Sequence, residues 1–444
     1  MFQGGSPVYG HPLKCVLVIL LGHRRCVAIR QQYGFAIVAV LVWGTLLGAG
    51  TLQPMFVHAD TIFIPVATVA EQYNTNIYFA PPSRLPPGTK TSDFVSTVGG
   101  GLQVLHRSRE VEAKINAGAD LNAFAYNKGM NFFTTRLDGT VILDGWVDQW
   151  ARGAKLRVDE RFRYTPESPG FVTGGAGAGA GDPFLRGIQG FRANTFSNTV
   201  STDGSYPVAR DLSLQGRYAF STRRVGSILA ATTTGATFFD TDVHTWSAGP
   251  KFQLTPAESI SLSYQQSLIS QTRTGGGTFT RSTNTQTLSA GYNRVNPDWT
   301  FGVEGGVTLV EPASQAYPTG NIKFSTNPER ATTVHLDLSR IAAPSLFFVA
   351  GAIISNVGQA QVIHRLSERL ALRGSANYAY NESVPERVVR FNTLTLSTGL
   401  NYKLTRTMLV DLFYEHSDFK TDSQTLDFTI LRNVVGLSLT AQWD

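Results

Sequence analysis

The sequence predicts an all-β fold, a single closed antiparallel up-and-down β-barrel of about 18 strands (16–18). Three observations support this prediction: long segments with a period of two, an alternation of short and long connections, and a composition rich in small and aromatic residues. Of the 444 residues, 43 are Gly and 27 are Phe, while only 16% are charged. After residue 60 the sequence shows no convincing 3.6-residue period, which argues against a helical protein.

Residues 111–126, VEAKINAGADLNAFAY, show the period of two most clearly. Val111 and Leu121 fall on one parity, whereas Lys114 and Asp120 fall on the other. Because successive side chains of a strand point to opposite faces, this segment is typical of one long strand with an apolar face and a polar face. The segments SISLSYQQS, TLTLSTGLNYKL and VVGLSLTAQW repeat the alternation toward the C-terminus.

The connections between these segments alternate in length along the chain. Short ones contain RSR, DQWARG, PVARD, TPAE, VNPD, NPER, SER and LTR, and longer ones such as APPSRLPPGTK and TRTGGGTFTR lie between them. A tight NKG turn is the exception among the longer ones. This order is typical of a meander with short turns at one end of a barrel and long loops at the other.

Counted in this way, the strands are predicted to begin near residues 62, 93, 110, 130, 154, 190, 212, 239, 258, 281, 298, 317, 331, 356, 369, 391, 407 and 426. An even number of strands places the start of the first strand and the end of the last strand on the short-turn side. The region 342–356 has the weakest strand pattern.

Many alternating segments are longer than the five or six residues usual in soluble proteins. In hydrocarbon every backbone polar group must be paired within the protein, so a membrane-spanning sheet must close, and its tilted strands need about 9 to 11 residues. Trp residues near short turns and Tyr residues near the other strand ends are typical of two interfacial girdles. We therefore expect a bacterial outer-membrane barrel whose partners are outer-membrane lipid and the barrel assembly machinery. A large soluble propeller or sandwich is the alternative.

Residues 1–59 are predicted to form a leader and residues 60–444 the barrel. The leader has a basic start, an apolar stretch from Gly34 to about Leu52 and small residues before a cut after Ala59. A start codon placed too early would explain its length, and a retained membrane anchor is the alternative. Both cysteines lie in the leader, so the mature chain would hold no disulfide. The leader also carries four basic residues and no acid, which leaves a formal charge of +2 for the rest and removes the basis for nucleic-acid binding.

The polar parity predicts which residues line the lumen. Its most basic cluster lies on one strand and its neighbour, and further arginines follow on later strands. The candidate pore-lining residues are Arg136, Lys155, Arg157, Arg161, Arg163, Arg217 and Arg373. A basic wall would favour small anions or an anionic polysaccharide by raising their local concentration. Alternatively these charges pair across strands, for example Arg136 with Asp138 and Asp159, and only hold the barrel in shape.

No pattern in the sequence predicts catalysis, a metal site or a bound cofactor. The five histidines after residue 59 show no metal spacing, and no Ser-His-acid order can be chosen. His364 falls on the apolar parity near a short turn, as an interfacial residue would. The GGAGAGAG run at 174–181 lacks the Lys-Ser/Thr ending of a phosphate-binding loop and is interpreted as part of a long loop.

The stretch VAEQYNTNIYFAPPSRLPPGTKTSDFVSTVGGGLQVLHRSREVEAKINAGAD resembles the first hairpin of the large outer-membrane β-barrels associated with exopolysaccharide and exosortase (PEP-CTERM) gene systems. Residues 73–77, YNTNI, match the start of that hairpin, and turns such as FQLTPAESISLSY and HRLSERLALRGSANY recur as in the family. The resemblance covers most of the mature chain and implies an outer-membrane barrel in polysaccharide export, without catalytic residues. Such barrels usually end in an aromatic residue, whereas Asp444 follows Trp443 here, which predicts a weaker signal for the assembly machinery.

The resulting expectation is a passive outer-membrane channel and not an enzyme. It would be a pore, or an outlet for an exported polysaccharide, with a mild anion bias from the basic wall. The loop at 165–189 is the predicted partial closure. A structural or adhesive anchor with a plugged lumen is the second hypothesis, and a lipid-acting barrel hydrolase is the third.

Overall fold

The structure is a computed structural model that describes residues 60–166, 193–228, 238–273, 280–312, 314–345, 351–385, 387–423 and 427–443. The predicted leader, residues 1–59, lies outside the described residues. So does the loop predicted as a partial closure, except for residues 165 and 166.

The described chain forms 18 antiparallel strands in one sheet. Their bounds are β1 Asp60–Asn74, β2 Asp93–Arg107, β3 Glu112–Phe124, β4 Phe132–Ile142, β5 Lys155–Thr165, β6 Ala193–Ala209, β7 Leu212–Ile228, β8 Phe239–Thr255, β9 Glu258–Arg273, β10 Thr280–Val295, β11 Trp299–Glu311, β12 Gln315–Thr326, β13 Thr332–Pro344, β14 Ala352–Arg365, β15 Leu370–Val384, β16 Val389–Lys403, β17 Met408–Ser423 and β18 Phe428–Gln442. The predicted fold class and strand number are confirmed. The predicted strand starts lie within a few residues of these bounds, with the largest difference at β14.

The sheet closes because β1 pairs with both β2 and β18. Every other strand pairs with its two neighbours in the chain, as an up-and-down barrel requires. Closure leaves no unpaired sheet edge, which is the condition for placing a sheet in hydrocarbon. Strand lengths run from 11 residues in β4 to 17 in β6, long enough to span a bilayer and in most cases to project beyond it.

Short turns join the strands at one end of the barrel, which we call the short-turn end; the opposite end is the long-loop end. The tight NKG turn at the long-loop end forms a 3-10 turn at Lys128–Met130. The connection from β4 to β5 is the longest at the short-turn end, and it contains the helical turn α1, Asp144–Val147. Within the described residues no helix has the length and hydropathy of a membrane span.

The two parities of each strand lie in different environments. Val98 and Leu102 of β2 are 59% and 40% exposed, and Val435 and Leu437 of β18 are 48% and 51% exposed, so the apolar parity faces outward. The other parity carries the polar side chains and faces the lumen. In water this pattern would leave an apolar band around the barrel, whereas in a bilayer the band meets lipid. The period of two therefore identified both faces correctly.

Candidate functional site

All seven candidate pore-lining residues lie on the inward-facing parity of β4, β5, β7 and β15. Six of them, however, form ion pairs with inward-facing carboxylates. The pairs are Arg136–Asp120 at 2.5 Å, Arg157–Asp159 at 2.7 Å, Arg161–Asp138 at 3.4 Å, Arg163–Asp138 at 2.8 Å, Arg217–Asp203 at 3.4 Å and Arg373–Asp411 at 2.5 Å. The cross-strand pairing considered as the alternative is therefore present, but its example was wrong, because Arg136 contacts Asp120 on β3.

These pairs neutralise most of the charge that the sequence placed on the arginine cluster. The Arg163 side chain is 35% exposed and that of Asp138 is 36% exposed, so water screens the pair and its contribution to stability is small. Its main consequence is electrostatic. A guanidinium beside a carboxylate presents a dipole to the lumen, and the field of a dipole falls off faster than that of a single charge.

Near the short-turn end, five lysines contribute inward-facing positive charge without an ion-pair partner, beside Arg107 of β2 and Arg365 of β14, which lie on the same parity near that end. Each lysine lies within a few residues of that end, on β3, β5, β8, β12 or β16. In the part of the chain that the structure describes, none of these lysines has a carboxylate oxygen within 4.0 Å. The five lysines are Lys114, Lys155, Lys251, Lys323 and Lys403. We call them the lysine ring.

Of the lysine ring only Lys155 was among the candidate residues. The others were placed on the inward parity by the sequence but were not selected. Arginines that crowd one strand are conspicuous in a sequence, whereas lysines spread from residue 114 to residue 403 become neighbours around one opening only when the barrel closes.

Exposure of the inward-facing side chains changes along each strand. On β17 the Glu415 side chain is 32% exposed, but Phe419 and Thr421, nearer the long-loop end, are 1% and 2% exposed. On β9 Gln265 is exposed, whereas Gln271 is 0% exposed. We call the buried part of the lumen, next to the long loops, the outer half and the remainder the inner half. The outer half is filled by protein and the inner half is accessible to water.

Part of this filling comes from the connection between β1 and β2. Phe79 is 1% exposed and packs edge-on against Phe419 of β17 with ring centroids 6.0 Å apart, while the Arg432 guanidinium of β18 lies 5.9 Å from the Phe79 ring centroid. Asn76 fixes the turn, because its side-chain amide donates to the carbonyl oxygens of Ala80 and Leu431. Phe79 thus lies inside the barrel, against inward-facing residues.

The ends of β13 and β14 form a second part of the filling. β12 and β13 are joined by six residue pairs, from Gly320–Arg340 to Ser325–His335, which form the shortest ladder in the described barrel. Beyond it, inward-facing Val310 and Tyr317 of β11 and β12 pack with Ala352 and Ile354, which lie on the outward parity of β14. That contact requires the hairpin end to lie inside the wall formed by β11 and β12. We call residues 341–345 and 351–354 the inserted hairpin.

The other face of the inserted hairpin enters a large apolar cluster. Ala343 and Ile353 belong to the cluster that also contains Val243, Ile269 and Phe419 from strands elsewhere around the barrel. The inserted hairpin therefore has protein on both faces. Apolar packing of this kind excludes water from the outer half.

Gln271 of β9 holds the inserted hairpin from across the lumen. Its side-chain amide donates to the carbonyl oxygen of Ser345 at 2.5 Å, and its side-chain carbonyl oxygen accepts from the N–H of Gly351 at 2.5 Å. Gly351 has a φ of +125°, a conformation that side chains with a Cβ rarely adopt, so glycine is required there. A buried glutamine satisfied by both stems of one hairpin is a latch specific to the inserted position, and its partners lie 74 and 80 residues away along the chain.

The described histidines make local contacts on the barrel wall. His364 hydrogen-bonds Thr332 at 2.8 Å, and His244 hydrogen-bonds Tyr218 at 2.9 Å. Among the described residues no group of three or more His, Cys, Asp or Glu residues could hold a metal ion. We find no arrangement in these contacts that would activate a nucleophile.

Comparison with known proteins agrees with the barrel. The family described as "Putative beta-barrel porin 2" matches residues 320–443, which cover β13 to β18 and part of β12. A search of curated proteins finds no match. Similar solved structures include OccAB3 of Acinetobacter baumannii, with 12% identity, a TM-score of 0.42, and coverage of 86% of this chain and 99% of that chain. OccK2 (OpdF) of Pseudomonas aeruginosa has 10% identity, a TM-score of 0.40, and coverage of 86% and 97%. Similarities this low carry no functional inference.

The closed sheet, the apolar outward face and the porin family match agree with one another. This chain is an outer-membrane β-barrel, and its C-terminal part, residues 320–443, is similar to the family described as "Putative beta-barrel porin 2". Its short-turn end faces the periplasm and its long-loop end faces outward, as in barrels of this class. The lysine ring accordingly lies on the periplasmic side of the lumen, and the inserted hairpin on the external side.

Proposed function

We propose that the chain is an outlet channel of the outer membrane, closed at rest by its outer half, with a mild anion bias set by the lysine ring. The observation that carries the proposal is the change from exposed to buried side chains along the inward faces of the strands. A barrel of 18 strands is wide enough for an aqueous channel when its interior is not filled. The filling here is local, so its displacement would open the whole lumen.

The outer half has the character of a movable closure. Ser355, Asn381 and Thr393 face inward there at 0% exposure, and their side-chain polar atoms have no hydrogen-bond partner among the described residues. A buried polar group without a partner carries a desolvation cost of about 1–3 kcal/mol. Water entering an open lumen would remove that cost, which offsets part of the apolar packing energy that opening sacrifices.

The proposed cargo is an acidic polysaccharide that enters from the periplasm. The inner half contains a cavity of about 530 Å³, which is lined by Lys155, Arg157 and Arg217, by the carboxylates of Asp144, Asp203 and Glu304, and by small hydroxyl side chains such as Ser247 and Ser263. Hydroxyl and guanidinium groups can hydrogen-bond sugar hydroxyls and carboxylates, while unpaired lysines raise the local concentration of anions. The resemblance to barrels of exopolysaccharide systems supports the same cargo.

Planar-bilayer recording tests the proposal with the latch residue. The wild-type chain is expected to be closed for most of the recording. The fraction of time spent open is expected to be at least ten times larger for Gln271→Ala, because this substitution frees both stems of the inserted hairpin. Gln265→Ala is the matched control, since Gln265 faces the lumen six residues earlier on the same strand and is exposed.

A second candidate function is a structural or adhesive anchor, which the same filled outer half supports. If Gln271→Ala remains silent while still folded, as shown by heat-modifiable migration, the channel proposal fails and the anchor is favoured. Steady open steps of the variant, with a reversal potential on the anion side in a salt gradient, would support the channel.

A further inference from the structure

The connection between β4 and β5 presents two tryptophans on the outside of the barrel at its periplasmic end. Trp146 and Trp150 are 48% and 80% exposed, and Trp150 is the most exposed large apolar side chain of the described chain. Their spacing of four residues places them on the same side of the helical turn α1 and its continuation. Exposed indoles at the end of a barrel wall lie where the acyl chains of a bilayer meet its headgroups.

This connection is held rigidly on both sides. The N–H of Trp146 donates to the carbonyl oxygen of Glu110 at 3.2 Å, and a methyl group added to Gly145 would overlap the carbonyl of Arg109. At the other side Gly153 packs so closely on Pro207 of β6 that a Cβ would lie 2.8 Å from its ring. The two tryptophans are therefore presented in a fixed position relative to β5 and β6.

Between the tryptophans and the wall lies a groove of about 780 Å³. Its floor is formed by Gly204 of β6 and Gly216 of β7, which are directly paired and both on the outward parity. Leu156, Tyr206 and Leu214, also on the outward parity, form its sides. Because these residues belong to the lipid-facing surface, the groove continues the apolar band that meets the membrane.

The packing of the protein does not require glycine on the groove floor. A Cβ on Gly204 would meet its nearest neighbour at 3.8 Å, and a Cβ on Gly216 would meet its nearest at 4.0 Å, which is ordinary van der Waals contact. A lipid-facing strand position usually gains from an apolar side chain. Side chains at these two positions would instead fill the groove.

Positive charge lies at the rim of the groove. Arg152 is exposed two residues after Trp150, and Lys155, at the start of β5, lines both this groove and the inner half of the lumen. A phosphate at headgroup level would lie near these cations while the attached acyl chain followed the apolar floor. The combination of apolar groove, indoles and cations fits an anionic phospholipid.

We propose that this groove is a binding site for one anionic phospholipid of the periplasmic leaflet, with an acyl chain over Gly204 and Gly216 and the phosphate toward Arg152 and Lys155. The site lies on the outer surface of the wall and shares only Lys155 with the lysine ring, and the variants that test it leave Lys155 in place.

The test uses the full chain, purified in mild detergent, incubated with phosphatidylglycerol and analysed by native mass spectrometry after washing. The wild type is expected to retain one phosphatidylglycerol, and the Gly204→Leu/Gly216→Leu double variant less than a tenth as much. Gly374→Leu is the matched control, since Gly374 is an outward-facing glycine of β15 whose Cβ would also have free space, with its nearest neighbour at 3.9 Å. It should retain the lipid as the wild type does.

Two further measurements separate this site from general interfacial contact. Arg152→Gln is expected to lower retention of phosphatidylglycerol relative to phosphatidylcholine, and a photoreactive p-benzoylphenylalanine in place of Trp150 should give lipid adducts. Equal retention by the wild type and the folded double variant would overturn the proposal. So would adducts formed with a second copy of the chain or with another protein instead of lipid.

Discussion

The two halves of the lumen are lined by the same strands, yet they differ as a protein core differs from a surface. In the inner half Arg157 and Arg136 have side chains that are 48% and 44% exposed, and water screens their ion pairs. In the outer half Phe419 and Ile430 are 1% and 0% exposed and pack with residues from distant strands. The difference shows that one barrel wall can line both a water-accessible inner half and a tightly packed outer half, because the inward-facing side chains change in exposure along each strand.

The largest expected effect comes from creating a cavity in the tightly packed outer half. Phe419→Ala removes a ring that contacts Phe79, Phe391 and Phe428, and the expected loss is about 3–5 kcal/mol in free energy of unfolding. Phe413→Ala, at an inward position of the same strand in the inner half, should cost clearly less because that side chain is partly exposed. Denaturant titration followed by heat-modifiable migration measures both. Equal losses would mean that the two halves do not differ in packing.

An intermediate effect is expected from the lysine ring. Replacing Lys114, Lys155 and Lys251 together with Gln, in the Gln271→Ala background, should lower the anion-to-cation permeability ratio by a factor of about two or more. Stability should change little, since these lysines have no carboxylate within ion-pair distance in the described barrel. The reversal potential in a salt gradient reports the ratio. An unchanged reversal potential would remove the lysine ring as the origin of an anion bias.

The smallest effect is expected from a neutralised pair. Arg373→Gln together with Asp411→Asn leaves the formal charge of the wall unchanged and removes one ion pair of 2.5 Å. Partly exposed pairs contribute about 0–1 kcal/mol, so the free energy of unfolding should fall by no more than that and the reversal potential should stay in place. A shift as large as that of the lysine triple variant would show that the paired arginines, and not the lysine ring, determine selectivity.

The fold could be predicted from the sequence because the alternation of residues within each strand reflects the surroundings of that strand alone. Leu121 and Asp120 are adjacent in the chain but face lipid and lumen, and a period of two follows wherever both environments persist. The boundaries between strands were equally local, since turns such as TPAE and NPER interrupt the alternation.

The filling of the outer half could not be predicted in this way. Gln271 differs little in the sequence from Gln265, and only the position of a hairpin 74 residues later makes it a latch. Phe79 likewise looks in the sequence like an aromatic residue of a surface loop, although the loop turns inward against β17. The ion pairs are an intermediate case. Mixed charges on one face predict that pairs form, but the pairing of Arg136 with Asp120 depends on side-chain geometry, which the alternation of residues does not predict.

The pairing of β1 with β18 has a consequence for how this protein is made. Val66 is paired with Gln442, so β1 gains its second neighbour only when the last strand, β18, is in place. Until then β1 has one free edge, and the growing sheet has another, both competent to pair with foreign strands. A chain that stops before β18 keeps both edges permanently. An intact barrel therefore offers no free strand edge, whereas a barrel that lacks β18 offers two.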